Sequence, residues 1–309
     1  SVYLIQNSIW REEFADLGGI RHDTHSYAGK EFMAAYSCRI MKEYPNLNIV
    51  GEEWSLNPAI IAKWQRGMEN PDDYTSCMPS MFDFPLQAAL VQSLVEEESW
   101  DQGWIKVYEM LSNDFLYADP FNLVTFPDNH DMDRFYTQLG MDIDLFKMGI
   151  TYCLTMRGIP QIYYGTEILM TNAIPGNHGL IRTDFPGGWP DDTKNGFSSN
   201  DLTETEKEAQ QFMKQLLNWR KKSTPIHAGK LMHYAPVNNV YTYFRYLEDQ
   251  IVMVIFNKGK KPVKIHAEDY PEMLKGLTLG KDVLTDKTLN MENLELPARS
   301  LQIVEFNTK

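Results

Sequence analysis

The sequence predicts an α/β domain built on a parallel sheet, followed by an all-β domain. Three observations lead to this prediction. Short apolar runs alternate with helical segments up to residue 222, which is typical of parallel sheets with right-handed crossovers. After residue 222, β-type runs replace the helices. Polar and charged side chains cluster just after the short strands, where sites on such sheets form.

Helical periodicity and breaker residues set the elements of the first domain. Helices are predicted over residues 3–17, 30–43, 57–65, 85–98, 101–115, 142–156 and 203–222. Strands are predicted over residues 19–23, 47–51, 81–83, 122–126 and 159–164. The stretch 171–201 is rich in Gly, Pro, Asp and Asn and has no periodicity, which predicts a long functional or disordered loop.

The β-type runs predict the second domain. Residues 240–246 and 250–256 flank a turn at Glu248 and Asp249. Further runs lie at residues 263–266, 284–285 and 300–306. This pattern indicates an antiparallel sandwich, with the domain boundary near residues 224–228. The predicted domains are therefore residues 1–225 and 226–309.

Composition and charge exclude several function classes. The 309 residues include 29 Lys and Arg against 42 Asp and Glu, so the formal net charge is −13. This acidic balance argues against nucleic acid and against anionic membrane surfaces, because both attract basic patches. No apolar run is long enough to span a bilayer. Hydrophobic residues make up 43% of the chain, which is ordinary for a globular protein.

The cysteines and the amino terminus carry further expectations. Cys38, Cys77 and Cys153 are an odd, sparse set without C-x-x-C spacing, so they are interpreted as small buried hydrophobes. No metal site is predicted. The chain has neither an initiator Met nor a signal-peptide pattern, and it begins inside an amphipathic segment. It is therefore interpreted as a piece of a longer protein.

Three predicted strands deliver a carboxylate at or shortly after their carboxyl ends: Asp23, Glu52 and Asp131. Glycoside hydrolysis needs two carboxyl groups around one bond, and its oxocarbenium-like transition state rewards further negative charge. Arg21 lies two residues before Asp23, so both side chains would point to one side of the strand. A cation there would keep Asp23 ionised, and crowded carboxylates would raise the pKa of Glu52.

The residues around these carboxylates resemble motifs of the α-amylase family. Gly19-Ile-Arg-His-Asp-Thr-His25 resembles the motif of its fourth strand, Ile49-Val-Gly-Glu-Glu-Trp54 that of its fifth, and Phe126-Pro-Asp-Asn-His-Asp131 that of its seventh. Phe185-Pro-Gly-Gly-Trp189 and Tyr163-Tyr-Gly-Thr-Glu167 make the likeness strongest to the neopullulanase and cyclomaltodextrinase group. The resemblance implies a partial TIM (β/α)8 barrel, strands four to eight, followed by an all-β antiparallel sandwich.

The resemblance also implies roles. Asp23 would be the nucleophile that forms a covalent glycosyl intermediate, and Glu52 the acid and then the base. Asp131 would hold the sugar hydroxyls most tightly in the transition state, His130 would bind the same sugar, and Arg21 would orient Asp23. Anomeric configuration would be retained, which requires carboxyl groups about 5–5.5 Å apart.

Other residues near the motifs have a functional and a plain interpretation. Trp54 and Trp189 are candidates to stack on the apolar face of a sugar ring. Asp184 fits a sugar-binding residue and a plain loop residue equally well. Four residues near the motifs are interpreted as packing or structural residues: His22, His25, Trp64 and Arg134. For His22 and His25, this interpretation is preferred to metal binding.

One family motif has no counterpart in this chain. The third-strand motif, with its Asp and its Asn-His pair, would lie before residue 1. We therefore expect little or no catalysis from the chain alone, and a missing amino-terminal barrel half or a homo-oligomer as its partner.

The resemblance implies a retaining glycoside hydrolase acting on α-1,4-glucans such as cyclodextrin, pullulan or starch oligosaccharides. Two alternatives stay open: glycosyl transfer to sugar acceptors, and a non-catalytic carbohydrate-binding fragment. No cofactor is predicted, and this sequence does not support a Ca²⁺ site. A bacterial periplasm and a bacterial cytoplasm both fit.

Overall fold

Helices and short strands alternate through the first part of the chain, as the periodicity predicts. The computed structural model describes residues 2–198 and 201–307. The outer ends of both predicted domains, residues 1 and 309, and part of the predicted loop 171–201 lie outside the described residues. The elements are α1 (Val2–Ala15), β1 (Gly19–His22), α2 (Lys30–Glu43), β2 (Asn48–Gly51), α3 (Pro58–Ala62), β3 (Ser80–Met81), α4 (Phe84–Val95), α5 (Ile105–Leu111), β4 (Val124–Thr125), α6 (Phe135–Gln138), α7 (Ile143–Thr155), β5 (Ile159–Pro160), α8 (His178–Ile181), α9 (Glu204–Arg220) and α10 (Thr224–Ala228).

Strands dominate the last part of the chain. They are β6 (Lys230–His233), β7 (Val240–Leu247), β8 (Gln250–Asn257), β9 (Val263–Ile265), β10 (Leu279–Asp282), β11 (Thr288–Asn290), β12 (Leu294–Leu296) and β13 (Ser300–Asn307), with helix α11 (Pro271–Leu274) after β9. The strand predicted at residues 284–285 is wrong. Leu284 and Thr285 instead donate their backbone N–H groups to the Asp282 carboxylate, at 2.7 and 3.1 Å, and so form a turn.

The first five strands are parallel, as predicted. β1 pairs with β2, β2 with β3, and β4 with β5, and a single parallel bridge between Phe82 and Val124 links the two groups. β3, β4 and β5 pair over two residues each, so they are shorter than the sequence predicts. The assignment of these strands as four to eight of a barrel stays a prediction.

The described chain divides into two compact units, each built from several segments of the sequence. The first unit comprises Ser1–Ala88, Glu109–Phe126 and Gly158–Gln161. The second comprises Ala89–Tyr108, Pro127–Arg157 and Ile162–Lys309. The first unit buries one apolar cluster around its parallel strands, including Ile9, Met33, Ile40, Ile49 and Met81. A domain boundary near residues 224–228 stays a prediction.

The antiparallel sheet of the second unit is covered on both faces. Its strand order is β11-β10-β13-β8-β7-β6, and β12 and β9 form a separate antiparallel pair. Phe244 and Met253 belong to one apolar cluster with Leu296 of that pair. On the same two strands of the large sheet, Tyr241 and Phe256 stack on Trp104, with ring centroids 5.6 and 5.1 Å away. Double coverage explains why successive residues of β7 and β8 are buried, instead of every second one.

Two cations, Arg245 of β7 and Lys258 directly after β8, cap helix carboxyl ends in the second unit. Lys258 is 6% exposed, and its Nζ donates to the carbonyls of Ser93 and Glu96 at the end of α4. Arg245 donates in the same way to Met156, at 2.9 Å, beyond the end of α7. Because helix carboxyl ends carry unpaired carbonyls and partial negative charge, cations stabilise them. None of the helices in the described part of the chain is both long and apolar enough to cross a membrane.

The interpretation of all three cysteines as free buried hydrophobes is wrong for two of them. Cys38 of α2 and Cys77, in the segment before β3, form a disulfide with their Cα atoms 4.8 Å apart. Both belong to the first unit. Among the described residues, Cys153 is the one cysteine outside a disulfide, and it is buried, with 3% exposure. Cys38 and Cys77 are 39 residues apart in the sequence, so local sequence patterns could not predict their disulfide.

We expect one alkylatable thiol per chain under denaturing conditions, that of Cys153, and all three after reduction. Replacing the bonded pair (C38S with C77S) should lower the free energy of unfolding by about 3 kcal/mol, since the cross-link no longer restricts the unfolded chain. Mass spectrometry of alkylated protein counts the thiols, and denaturant unfolding measures the stability. Three alkylated thiols without reduction would contradict the disulfide.

Candidate active site

The register of two adjacent parallel strands sets the first group of site residues. In the β1–β2 pair, His22 lies opposite Gly51, so Asp23 and Glu52 follow at neighbouring strand ends. The backbone pairing continues beyond the strands: Glu52 N–H donates to His22 O at 3.0 Å, and His25 N–H donates to Glu52 O at 2.8 Å. The two carboxyl groups therefore lie at the carboxyl ends of neighbouring strands, as predicted.

A single guanidinium group joins these two carboxylates. Arg21 Nη1 lies 2.9 Å from Asp23 Oδ1, and Arg21 Nη2 lies 3.0 Å from Glu52 Oε1. Arg21 and Asp23 are two residues apart, so their side chains leave the strand on the same side. The planar guanidinium suits this arrangement, because its fixed fork of donors can bind two oxygens at once. The predicted partner of Asp23 is thus also a partner of Glu52.

Burial distinguishes the two carboxyl groups. The Asp23 side chain is 64% exposed, whereas Glu52 is 5% exposed. Thr24 has a left-handed backbone, with φ 44°, and its N–H donates to Glu52 Oε2 at 3.1 Å. Burial raises the pKa of Glu52, and the neighbouring Asp23 carboxyl raises it further, while the Thr24 N–H and Arg21 lower it. The predicted direction is confirmed, but burial is a larger cause than carboxylate crowding.

The histidines beside Asp23 pack against aromatic rings. His25 is fully buried and meets Trp64 edge to face, with centroids 5.2 Å apart, and His22 meets Tyr36 in the same way at 5.1 Å. Burial, followed by the proximity of His22, lowers the pKa of His25 to about 4. Trp64 donates its indole N–H to Glu53 at 3.1 Å. The packing interpretation of these residues is confirmed. Within residues 2–198 and 201–307, no cluster of His, Cys, Asp and Glu could hold a metal ion.

The second unit contains the other group of site residues. His130 Nε2 lies 3.0 Å from Asp131 Oδ2. Arg182 binds Asp131 Oδ1 through Nη2, and its Nε donates to His130 O at 2.8 Å. His178 Nδ1 lies 3.8 Å from the same Asp131 oxygen. Both Asp131 oxygens therefore face cationic or ring N–H groups. Sequence reasoning missed Arg182 and His178, because they lie in a stretch without periodicity.

A buried polar frame fixes the segment that carries Asp131. The fully buried Asp128 accepts hydrogen bonds from Phe135 N–H at 2.7 Å and from Thr166 Oγ1 at 3.2 Å. Burial raises the pKa of Asp128 to about 6. Arg134 is also fully buried, and its Nε donates to Ile181 O at 2.9 Å. The Cζ atom of its guanidinium lies 4.1 Å from the centre of the Tyr163 ring. The structural interpretation of Arg134 is confirmed.

The three further sugar-binding candidates lie on the surface. Trp54 is 48% exposed and stacks on Phe84, with centroids 4.6 Å apart. Trp189 is 64% exposed, and Asp184 is also exposed. Trp189 N–H donates to Asp192 at 3.0 Å, which holds the turn that presents the indole. Their roles toward a sugar stay predictions.

The structure brings the predicted residues together in two groups, one in each unit. Arg21, Asp23 and Glu52 form the group of the first unit, and His130 and Asp131 form the group of the second. The first group has a buried carboxyl beside an exposed carboxylate. That difference in environment is what separates a proton donor from a nucleophile in carboxylate pairs.

We expect the E52Q variant to gain stability relative to the native protein as pH rises. A raised pKa in the folded state means that Glu52 stabilises the fold fully below its unfolded-state pKa and that this contribution is lost as pH rises through the folded-state pKa. Gln does not titrate. Thermal unfolding between about pH 4 and about pH 8 covers the ordinary glutamate range and the range above it.

The matched control is E43Q, which changes an exposed glutamate of the same unit and reports the general effect of Glu→Gln. The quantity to compare is the Tm of the variant minus the Tm of the native protein. After the value for E43Q is subtracted from the value for E52Q, the result should increase with pH. A flat difference, or one that decreases with pH, would contradict a buried Glu52 of raised pKa.

Known protein families match nearly the whole chain. Residues 12–248 match the family model for the alpha amylase catalytic domain, and residues 231–305 match the cyclo-malto-dextrinase C-terminal domain. A maltogenic alpha-amylase from Bacillus acidopullulyticus is 26% identical over 318 residues, which cover 98% of this chain and 48% of that relative. A cyclomaltodextrin glucanotransferase from Paenibacillus macerans is 29% identical over 242 residues, which cover 78% of this chain and 30% of that relative.

Solved structures share the fold. The crystal structure of an alpha-amylase from Geobacillus thermoleovorans complexed with acarbose matches with a TM-score of 0.77 and 22% identity, covering 98% of this chain and 63% of that one. The chain spans half or less of the length of the two curated relatives. The catalytic-domain model covers well over half of the 309 residues. The chain therefore belongs to the α-amylase family of glycoside hydrolases and transferases.

Proposed function

We propose that this chain is part of a retaining glycoside hydrolase that acts on α-1,4-glucans through a covalent glycosyl-enzyme intermediate. The observation that carries the proposal is the Arg21 guanidinium shared by Asp23 and Glu52, at 2.9 and 3.0 Å. Two carboxyl groups that bind one guanidinium are close enough to flank one glycosidic bond. Membership of the α-amylase family supports the choice of an α-glucan as substrate.

The exposed Asp23 is the proposed nucleophile. Its side chain is 64% exposed, so a sugar can reach it, and the Arg21 guanidinium, 2.9 Å away, orients it. In the first step, a carboxylate oxygen of Asp23 bonds to the anomeric carbon while the bond to the leaving sugar oxygen breaks. In the second step, water replaces Asp23 at that carbon, so two inversions give net retention.

The buried Glu52 is the proposed acid and base. Its raised pKa keeps a proton available for the leaving oxygen. After the first step Glu52 is ionised, and it then takes a proton from the attacking water. Asp131, His130, Trp54, Asp184 and Trp189 are proposed to bind sugar residues of the substrate.

An apolar surface of the first unit supports the proposal that the chain works with a further part of the barrel or with a second copy. Helix α1 exposes several large apolar side chains: Val2 (71%), Tyr3 (75%), Trp10 (57%) and Phe14 (76%). Trp10 and Phe14 stack on each other, with centroids 5.1 Å apart. Among the described strands, β1 pairs only with β2, so its other edge is unpaired. Monomeric proteins seldom expose a large apolar helix face, and an unpaired strand edge is a place where a further strand can bind.

Glycosyl transfer to a sugar acceptor is the second candidate function. The similarity to a cyclomaltodextrin glucanotransferase favours it, and the same two carboxyl groups would perform it. The two functions differ only in whether water or a sugar hydroxyl attacks the intermediate. Product analysis with an excess of maltose as acceptor separates them: hydrolysis yields new reducing ends, whereas transfer yields longer oligosaccharides without a net gain of reducing ends.

We expect the D23N variant of the full-length protein to lose at least about 10³-fold of its kcat on cyclodextrin or maltooligosaccharides, because the amide is a far weaker nucleophile. The matched control is D16N, an exposed aspartate whose left-handed backbone, with φ 50°, asparagine accepts without strain. Reducing-sugar release measures the rate, and NMR of the first product reports its anomeric configuration. The 309-residue chain assayed alone should be inactive.

Three results would contradict the proposal. Activity of D23N equal to that of D16N would remove Asp23 from the mechanism. A first product of inverted configuration would remove the covalent intermediate. A full-length protein that turns over neither cyclodextrin nor maltooligosaccharides would remove the substrate class.

A further inference from the structure

Arg182 holds Asp131 through two bonds to adjacent residues. Its Nη2 binds the Asp131 carboxylate, and its Nε donates to His130 O at 2.8 Å. One guanidinium plane thus joins a side chain to the backbone carbonyl that precedes it. His130 Nε2, 3.0 Å from the other carboxylate oxygen, completes the arrangement. The orientation of the Asp131 carboxylate is therefore fixed by Arg182 on one oxygen and by His130 on the other.

The backbone that carries Arg182 is itself anchored. Ile181 is fully buried, and its carbonyl accepts a hydrogen bond from Arg134 Nε at 2.9 Å. Upstream, Asn172 Oδ1 accepts from Arg134 N–H at 2.8 Å, and Asp133 Oδ1 accepts from Gly176 N–H at 2.7 Å. The segment 172–182 is therefore bonded at several points to the segment 130–134. Arg182 is presented to Asp131 from a fixed backbone.

We propose that Arg182 is a positioning residue that sets the orientation of the Asp131 carboxylate for the sugar hydroxyls it binds. This inference rests on the proposed function. Asp131 is 25% exposed at its side chain and Arg182 is 47% exposed, so a sugar can reach the pair from solvent. A carboxylate held in place before substrate arrives needs no reorientation during the reaction, which lowers the barrier.

The geometry of the guanidinium, and not its charge alone, is what this role requires. Arginine offers Nε and Nη2 in a rigid plane, whereas lysine offers one flexible point charge that cannot bind both acceptors in that plane. R182K keeps the charge and loses the two-point hold, and R182Q loses both. The effect should therefore be graded, with R182K between the native protein and R182Q.

The experiment uses the full-length protein with maltoheptaose as substrate, and K214Q, which removes an exposed cation of the same unit, as the charge control. We expect R182Q to lower kcat by about 10²-fold, the loss that a misplaced reacting group brings. KM and Tm should change little, and K214Q should match the native protein. In a D131N background the same R182Q change should cost less than about 3-fold, because the two residues act as one unit.

Equal losses from R182Q in both backgrounds, or a fully active R182K and R182Q, would overturn the inference while leaving the proposed function intact. Absence of turnover by the native protein would instead count against the proposed function. Crystal structures of the native protein and R182Q then test the inference without activity. We expect the Asp131 carboxylate to rotate away from its native orientation in R182Q, and an unchanged carboxylate would overturn the inference.

Discussion

The Arg21 guanidinium, shared by Asp23 and Glu52, is the interaction on which the arrangement of these two carboxyl groups depends. Two carboxyl groups at neighbouring strand ends would repel each other if both were ionised and unpaired. A cation bonded to both, at 2.9 and 3.0 Å, allows them to stay close. The β1–β2 register makes this possible, because it places residue 23 beside residue 52 and leaves Arg21 on the same side as Asp23.

The environment then gives the two carboxyl groups different chemistry. Glu52 lies almost wholly out of water, and the turn at Thr24 delivers a backbone N–H to it. Asp23 keeps most of its surface in solvent. A buried group that favours its neutral form and an exposed group paired with a cation are suited to donating a proton and to attacking carbon, respectively. In the second unit, Asp131 is held differently, by Arg182 and His130 above a frame built on the buried Asp128 and Arg134.

Much of the fold and the first group of site residues could be predicted because they depend on local sequence. Asp23 and Glu52 each end a short apolar run, which marks the strand ends. Arg21 is two residues before Asp23, so the two-residue period of a strand predicts that both side chains point to the same side. The features that the sequence did not predict depend on contacts between segments that are far apart in the chain. The disulfide joins residues 38 and 77, and Arg182 reaches Asp131 across 51 residues. The strand predicted at residues 284–285 is a turn, because the Asp282 side chain captures two backbone N–H groups there.

The residue that becomes glycosylated during turnover identifies the nucleophile most directly. A fluorosugar fluoride that slows the release of the intermediate more than its formation would accumulate the covalent species on the full-length protein. Peptide mass mapping should then find one glycosyl group on the peptide that contains Asp23, bonded to its carboxylate. A label on Glu52 or on any other residue, or turnover of the same reagent without a covalent species, would contradict the assignment of nucleophile and acid.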